Sequence, residues 1–220
     1  MTERGMIFNA DMVRAILDGR KTQTRRIVKG TDGAVKFCKE WDINGEEIFV
    51  VLGEKDHTGM NPVLGAISCP FGAVGDRIWV RETFAALEPG SYEQVKPQEG
   101  HCQDLRYAAT DRLAKSDADI RGYKWVPSIH MPRWASRILL EITDVRVERL
   151  NSISQEDAQA EGLELTGWRP TYSDPDSGGE VMTPCDNFAE LWSSIYGDGS
   201  WQANPWVWVI SFERIEGGEA

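Results

Sequence analysis

Two segments in the second half of the sequence have apolar patterns that are typical of β-strands, and they limit the folds that the chain can adopt. In RILLEITDVRVERL the main apolar positions are Ile138, Leu140 and Ile142, then Val145 and Val147, and finally Leu150, so the alternation changes phase between Ile142 and Val145. Because side chains alternate across a strand, this change of phase predicts one long strand with a bend near Thr143-Asp144. The segment WVWVISFERI predicts a closing strand.

Three short helices are predicted between the strands. Asn9 is a suitable N-cap for the first, Ser154 with Asp157 for the second, and Asn187 for the third. Gly162 is expected to end the second helix in a left-handed conformation. Strand and helix patterns do not alternate regularly, as they would in a parallel α/β fold. The sequence therefore predicts an α+β fold around a small mixed barrel or curled sheet.

The stretches between these elements are long and turn-rich, and we assign them to insertions within a single domain. The first contains WDINGEEIFVVLGE, which predicts a β-hairpin with Asn44-Gly45 at its turn. The predicted domain covers residues 1–215, with insertions at about 30–75, 85–125 and 165–185 and a flexible tail at 216–220.

The chain has 220 residues, and its 35 Asp and Glu against 24 Lys and Arg give a net charge of -11. Binding along long duplex DNA is disfavoured, because it needs an extended basic face. The N-terminal segment lacks the apolar core of a signal peptide, and no apolar run approaches the roughly 20 residues that span a bilayer. We expect a soluble, cytoplasmic protein without membrane contact; nothing in the sequence indicates its oligomeric state.

No cofactor or metal is expected. The four cysteines lie far apart and form no CxxC pair, which is typical of reduced thiols. Zinc held by some of them with His101 is the alternative. The cysteines are Cys38, Cys69, Cys102 and Cys185. Dinucleotide, phosphate-loop, zincin and hydrolase-elbow motifs are absent from the sequence.

The stretch GRKTQTRR, residues 19–26, concentrates positive charge in an otherwise acidic chain. Gly19 is expected to end the first helix and to place Lys21 on a turn, with Thr24 on the following strand. A lysine amine whose pKa is lowered by burial and by neighbouring arginines can deprotonate a threonine hydroxyl, so Thr24 is a candidate nucleophile. The alternative is a solvated basic face that compensates the helix dipole.

The spacing Gly19-x-Lys21-x-x-Thr24-x-Arg26 after a short helix resembles the signature of the ASCH domain, a PUA-like barrel. In the general signature a glutamate stands where this chain has Thr24. The threonine is similar to that of the small ASCH amidohydrolases, which remove the acetyl group from N4-acetylcytidine. In that subfamily the lysine acts as base, the threonine as nucleophile and a glutamate on a later helix as proton donor.

The resemblance implies a glutamate within ITDVRVERLNSISQEDAQAEG, and Glu161 is the best match. Glu156 and Asp157 are interpreted as charges favoured at a helix N-terminus, with a register error of one turn as the alternative. The segments CPFGAVGDRIWVRETFA, WVPSIHMPRWASRILLEITDVRVERL and NPWVWVISFERI also resemble longer ASCH-like proteins, which are common in prophages.

The resemblance implies an amidohydrolase that removes an acyl group from the N4 amine of a modified cytidine without a cofactor. Lys21 would deprotonate Thr24, and Glu161 would protonate the departing amine. The alternative is a non-catalytic PUA-like module that binds RNA or a modified base, and a ribonuclease ranks third. The expected partner is a modified nucleoside or single-stranded RNA.

A further set of residues is expected to contact substrate or RNA, through arginine contacts to phosphate or base and through stacking on tryptophan. Its members are Arg20, Arg25, Arg26, Arg81, Glu82, His130, Arg133 and Trp134. Structural alternatives apply to three of them. Trp134 can belong to the core, His130 can be a structural histidine, and Glu82 can pair with an arginine of the basic stretch.

Overall fold

The computed structural model describes residues 1–100, 102–163 and 183–215 as an α+β structure in which strands predominate. The α+β part of the predicted fold class is therefore confirmed, whereas no closed barrel is found in the described residues. His101, the predicted tail and nearly all of the predicted insertion at 165–185 lie outside the described residues. None of the described helices is long and apolar enough to cross a membrane.

Short strands make up most of the regular structure. The strands in the described residues are β1 (Glu3–Ile7), β2 (Gln23–Ile27), β3 (Lys36–Trp41), β4 (Glu47–Leu52), β5 (Val63–Ile67), β6 (Arg77–Arg81), β7 (Phe84–Leu87), β8 (Asp104–Tyr107), β9 (Leu139–Arg149) and β10 (Trp206–Arg214). The α-helices are α1 (Ala10–Leu17), α2 (Ala118–Arg121), α3 (Gln155–Ala160) and α4 (Pro184–Tyr196). Short 3-10 helices cover Ser128–His130, Arg133–Ala135 and Leu150–Ser152.

The central sheet has five strands in the order β1-β6-β9-β10-β2, with β1 and β6 parallel and the other neighbours antiparallel. The predicted bend in β9 is a β-bulge. Asp144 pairs with Ser211 and Ile142 pairs with Phe212, so Thr143 is the extra residue. The bulge explains the change from even to odd apolar positions, because side chains on both sides of it reach the same core.

Strand β10 is buried on both faces, and this determines the surroundings of β2. Ile210 belongs to the main core. Val209 lies on the opposite face of the sheet, where it packs against α3 and against Phe188 of α4; we call this the helical face. In the β2–β10 pair, Thr24 lies opposite Ile210 and Arg25 lies opposite Val209. Thr24 is therefore directed to the main-core face and Arg25 to the helical face, as the predicted alternation requires.

The edge strands β1 and β2 of the central sheet approach each other, although they are not paired in the described residues. Nη2 of Arg26 on β2 donates to the carbonyl of Ile7 on β1 at 3.2 Å. The same guanidinium lies over the ring of Phe8, 5.6 Å from its centroid. The Arg26 side chain therefore bridges the two edges, which no backbone hydrogen bond closes into a barrel within the described residues.

The insertions contribute two smaller antiparallel sheets, β3-β4-β5 and β7-β8. The predicted hairpin is confirmed as β3 and β4, with Gly45 at a φ of +78° in the turn and a 2.9 Å bond from Asp42 N to Glu46 O. The third predicted helix begins earlier than expected, so Asn187 is not its N-cap. Thr183 and Asp186 form a reciprocal capping box at the start of α4.

The other two predicted helix starts are confirmed. The Asn9 side chain accepts from Met12 N at the start of α1, and the Ser154 side chain accepts from Asp157 N at the start of α3. Gly162 follows α3 at a φ of +86°, as predicted. Since these two helices end next to each other, they control where the basic stretch lies.

We expect Gly162→Ala to destabilise the protein by about 2–5 kcal/mol, because it adds left-handed strain to overpacking. A Cβ at this position would lie 2.6 Å from Cβ of Lys21 and 2.7 Å from Cβ of Ala15. Gly45→Ala is the matched control, since its φ is +78° with nothing within 4 Å, and should cost about 1–2 kcal/mol. Urea unfolding measures both, and equal losses would contradict the close approach of α3 to Lys21.

Candidate functional site

The backbone joins the basic stretch to the end of α3. Gly19 has a φ of +74°, which turns the chain back so that the Arg20 and Lys21 amides both donate to the Ala15 carbonyl, at 2.8 and 2.9 Å. Lys21 then forms an isolated antiparallel bridge with Glu161, and Thr22 N donates to Ala160 O at 2.9 Å. Two residues separated by 140 positions in the sequence thus become direct neighbours.

The Lys21 amine makes three short contacts inside the protein. Nζ lies 2.7 Å from Oε2 of Glu161, 2.9 Å from the Glu161 carbonyl and 2.8 Å from the Gln23 carbonyl. Lys21 is only 2% exposed and Glu161 5%. The resemblance implies that these two residues belong to one site, and the structure brings their side chains together.

Burial is the main reason that the pKa of Lys21 is lowered from its usual value. The Glu161 carboxylate opposes this shift, because a neighbouring negative charge favours the ammonium form. Arg26 and Arg25 lower the pKa further by repulsion. The arginines of the basic stretch therefore act on Lys21 in the direction expected from the sequence.

Arg25 is at the centre of a buried ionic network on the helical face. Its Nη1 lies 3.2 Å from Glu161 Oε1, and its Nη2 lies 2.8 Å from Glu148 and 3.0 Å from Asp157. Arg146 on β9 also bonds Asp157, at 2.6 Å. The Arg25 side chain has no exposed surface, so this residue, predicted to contact substrate or RNA, serves inside the protein as a partner of three carboxylates.

Thr24 is fully buried and does not bond to the Lys21 amine. Its Oγ1 accepts from Nη1 of Arg26 at 3.0 Å, and the same nitrogen donates to the Arg25 carbonyl. The Thr22 carbonyl accepts a hydrogen bond from Phe212 N of β10. Because carbonyls alternate in direction along a strand, those of even-numbered residues in β2 point to β10. The carbonyls of Gln23 and Arg25 therefore point to the free edge of β2. Lys21 and Arg26 cap these two successive edge carbonyls, and Thr24 lies between them.

Arg20 and Arg26 remain close to this site. Arg20 donates to the Gly162 carbonyl at 2.8 Å and pairs with Asp18 at 3.1 Å. Its guanidinium thus holds the turn after α3 rather than the strand. Arg26 is partly exposed and donates to Oγ1 of Thr24, the candidate nucleophile.

The other predicted binding residues lie around β6 and the segment before β9, and their contacts do not include Lys21, Thr24 or Glu161. Arg133 pairs with Glu3 at 2.8 Å, and Arg81 donates to the carbonyls of Ser128 and Ile129. Trp134 packs against the small core around Phe84.

Glu82 and His130 also lie apart from the basic stretch. Glu82 is buried and pairs with Arg137 at 2.8 and 3.0 Å, rather than with an arginine of the basic stretch. His130 is exposed on a 3-10 helix; its amide donates to the Pro127 carbonyl at 2.9 Å, and its side chain has no hydrogen-bonding partner in the part of the chain that the structure describes.

Sequence reasoning missed three participants in the network, Gln23, Glu148 and Arg146. Gln23 accepts from Arg25 through Oε1 at 2.7 Å and donates to Asp157 at 3.3 Å. A signal was available for Glu148 and Arg146, because they alternate with Val145 and Val147 after the bulge. Their charges had to lie on the face opposite the main core, where the odd-numbered residues of β2 also lie.

Comparison of the chain with protein-family models, with curated proteins and with solved structures gave no match. Within residues 1–100, 102–163 and 183–215, no group of three or more His, Cys, Asp or Glu side chains is placed to hold a metal ion.

We expect Lys21→Met and Glu161→Leu each to lower the free energy of unfolding by about 3–5 kcal/mol, because each leaves a buried charge without its partner. The double variant should lose clearly less than the sum of the two, and urea unfolding of all four proteins gives the coupling. The half-exposed Arg133–Glu3 pair is the control, with a coupling of about 0–1 kcal/mol. Additive losses at Lys21 and Glu161 would contradict a direct pair.

The lowered pKa of Lys21 also predicts a pH dependence. Between this pKa and the ordinary value of 10.5, the unfolded chain binds more protons at Lys21 than the folded chain. The contribution of Lys21 to the free energy of unfolding therefore rises with pH in this range. It is lost when the pH falls below the pKa of Lys21 in the folded protein. Relative to Lys21→Met, the wild type should gain stability from neutral pH toward 10.5. The exposed Lys115→Met gives the baseline, and a flat difference contradicts the shift.

Proposed function

We propose that the protein is an ASCH-type amidohydrolase that removes an acyl group from the N4 amine of a modified cytidine, with N4-acetylcytidine as the test substrate. The observation that carries the proposal is the 2.7 Å contact between Lys21 Nζ and Glu161 Oε2. The resemblance implied that these side chains work together, and the sequence alone favoured Glu161 over Glu156 and Asp157. A contact across 140 positions supports that choice.

The contacts of Lys21 suit two distributions of one proton. An ammonium donates three hydrogen bonds, to Oε2 of Glu161 and to the carbonyls of Gln23 and Glu161. In the second distribution Lys21 is a neutral amine that donates to the two carbonyls, and the proton lies on Glu161. Burial favours the amine form of Lys21, because it lowers the pKa of this residue. This distribution supplies both the base and the acid that deacylation by Thr24 requires.

The roles follow from this pair. Lys21 in its amine form takes the proton of Thr24, whose Oγ1 attacks the acyl carbon of the substrate amide. Glu161 in its acid form protonates the leaving N4 amine, which is a poor leaving group as an anion. Water then hydrolyses the acyl-threonine. Arg26, which is 3.0 Å from Thr24 Oγ1, is positioned to stabilise negative charge on the attacking oxygen or on the tetrahedral intermediate.

A PUA-like barrel is part of the same proposal. The Arg26 bridge from β2 to the Ile7 carbonyl of β1 supports it, because it connects the two edges that a barrel would have to bring together. A five-stranded sheet whose edges approach each other, together with short helices, is compatible with the architecture that the resemblance implies.

A non-catalytic module that binds RNA or a modified base is the second candidate. The observation that favours it is the complete burial of Thr24, since a nucleophile must reach its substrate. In such a module Lys21, Arg25 and Glu161 would hold the fold, and the partly exposed Arg26 would contact the ligand.

The test is turnover of N4-acetylcytidine by the purified protein, measured as cytidine by chromatography. We expect Lys21→Met, Thr24→Val and Glu161→Gln each to lower kcat by about 10²- to 10⁴-fold, because each removes a base, nucleophile or acid. The exposed residues Thr22 and Glu156 supply matched controls, and Thr22→Val and Glu156→Gln should retain activity. Folding of each variant is verified by urea unfolding.

Absence of turnover by the wild type would contradict the proposal. RNA affinity that persists in Thr24→Val but is lost in Arg26→Gln, with a steep salt dependence, would instead support the binding module. Cleavage of RNA would support the ribonuclease that ranked third.

A further inference from the structure

A cavity of about 530 Å³ lies beside β8, within the predicted insertion at 85–125. It shares no lining residue with the network around Lys21 and Glu161. Its volume is within the roughly 300–1,000 Å³ that is typical of small-molecule sites, so it suits a single small ligand rather than a polymer. Arg14 on α1 donates to the carbonyl of Ala109 at 2.9 Å and so ties this insertion to the helix that precedes the basic stretch.

The charge of the cavity is opposite to that of the chain. Arg106, Arg112 and Arg137 line it, with Asp111 as the one carboxylate among the described lining residues. The side chains of Arg106 and Arg112 are exposed and form no hydrogen bond or salt bridge with other described residues. In a chain with a net charge of -11, unpaired arginines at a concave surface indicate a site for an anion.

Asp111 forms no salt bridge with Arg106 or Arg112 in the described residues. Burial raises the pKa of Asp111, but hydrogen bonds from Tyr123 and Leu113 and the nearby charge of Arg106 lower it overall. Asp111 accepts from the hydroxyl of Tyr123 at 2.6 Å and from the amide of Leu113 at 2.7 Å. These contacts hold Asp111 in the wall of the cavity. Among the described residues, the guanidinium groups of Arg106 and Arg112 remain as donors for a ligand.

Arg137 makes one wall of the cavity rigid. Its guanidinium is bound by both oxygens of Glu82 and donates to Oγ1 of Thr110 at 3.1 Å. It also lies 4.0 Å from the centroid of the Tyr107 ring. A guanidinium has five N–H donors, so two of them remain for a ligand after these three bonds.

Tyr92 adds an aromatic surface to the lining. It is 57% exposed, and its Cβ packs close to Gly122, where an added methyl group would lie 3.3 Å away. Its ring has no aromatic or cationic partner among the described residues. An exposed ring beside two unpaired arginines combines a stacking surface with phosphate donors.

We propose that this cavity binds a nucleoside monophosphate, with the phosphate on Arg106 and Arg112 and the base stacked on Tyr92. The predicted insertion at 85–125 thereby supplies a second ligand site, separate from the candidate catalytic residues. Because no residue is shared, this binding does not depend on deacylation by Lys21, Thr24 and Glu161.

Isothermal titration of the full-length protein with cytidine 5′-monophosphate, cytidine and inorganic phosphate tests the proposal. Saturable one-to-one binding of the monophosphate is expected, with cytidine at least about 10-fold weaker, because a charge-assisted phosphate contact is lost. Arg106→Gln and Arg112→Gln should each weaken the monophosphate by about 10-fold or more. Tyr92→Ala should weaken the monophosphate by about 5-fold or more and leave inorganic phosphate unchanged.

Lys115→Gln is the matched control, since Lys115 is exposed in the same insertion but does not line the cavity. Its affinity for the monophosphate should equal that of the wild type. If Lys115→Gln lost as much affinity as Arg112→Gln, the effect would come from the overall charge of the protein and not from this cavity. That result would overturn the proposed site. Equal affinity for inorganic phosphate and the monophosphate, or no saturable binding, would overturn the nucleotide assignment.

Discussion

The buried pair of Lys21 and Glu161 is the interaction on which this part of the molecule depends. It connects the turn after α1, the start of β2 and the end of α3, and Arg25 extends it to β9. A buried charge without a partner lowers the free energy of unfolding by about 3–5 kcal/mol. Each buried cation here therefore needs a carboxylate within hydrogen-bonding distance. The requirement constrains the positions of two helices and two strands together, although these elements lie far apart in the chain.

The basic stretch was open to interpretation as a solvated face, and the structure gives its charges a different physical role. Lys21 and Arg25 are buried, and Lys21 and Arg26 cap the carbonyls at the free edge of β2. An edge strand with uncapped carbonyls can pair with another chain, and cationic side chains prevent this. The concentration of positive charge in the basic stretch therefore follows from the position of β2 at the edge of the sheet. The same cationic side chains surround Thr24, and this does not depend on whether Thr24 is a nucleophile.

Local patterns predicted the local structure well. The caps at Asn9 and Ser154, the hairpin at Asn44-Gly45 and the bulge at Thr143 all follow from interactions within a few residues, which a sequence displays directly. The predicted start of α4 was wrong because two capping signals lie close together, and Pro184 at the first helical turn favours the earlier one. The partners of Arg25 could not be predicted, because alternation assigns it to a face of β2 without revealing that α3 and α4 cover that face.

The two proposed sites are compatible with a strongly acidic chain because both take small ligands. In ordinary salt, electrostatic repulsion between the acidic chain and an anion extends only over a Debye length of about 8–10 Å. A small anion is therefore affected mainly by the residues next to it, whereas an extended polyanion passes close to many acidic residues. A single nucleotide in the cavity beside β8 meets mainly Arg106 and Arg112, and a nucleoside at Lys21 carries no phosphate. Local charge therefore decides binding in the cavity beside β8, whereas an uncharged nucleoside at Lys21 is not repelled by the acidic chain. Helix α1 contacts both regions, through Arg14 to Ala109 and through the Ala15 carbonyl to Lys21, so the insertion is anchored to the element that also positions the candidate base.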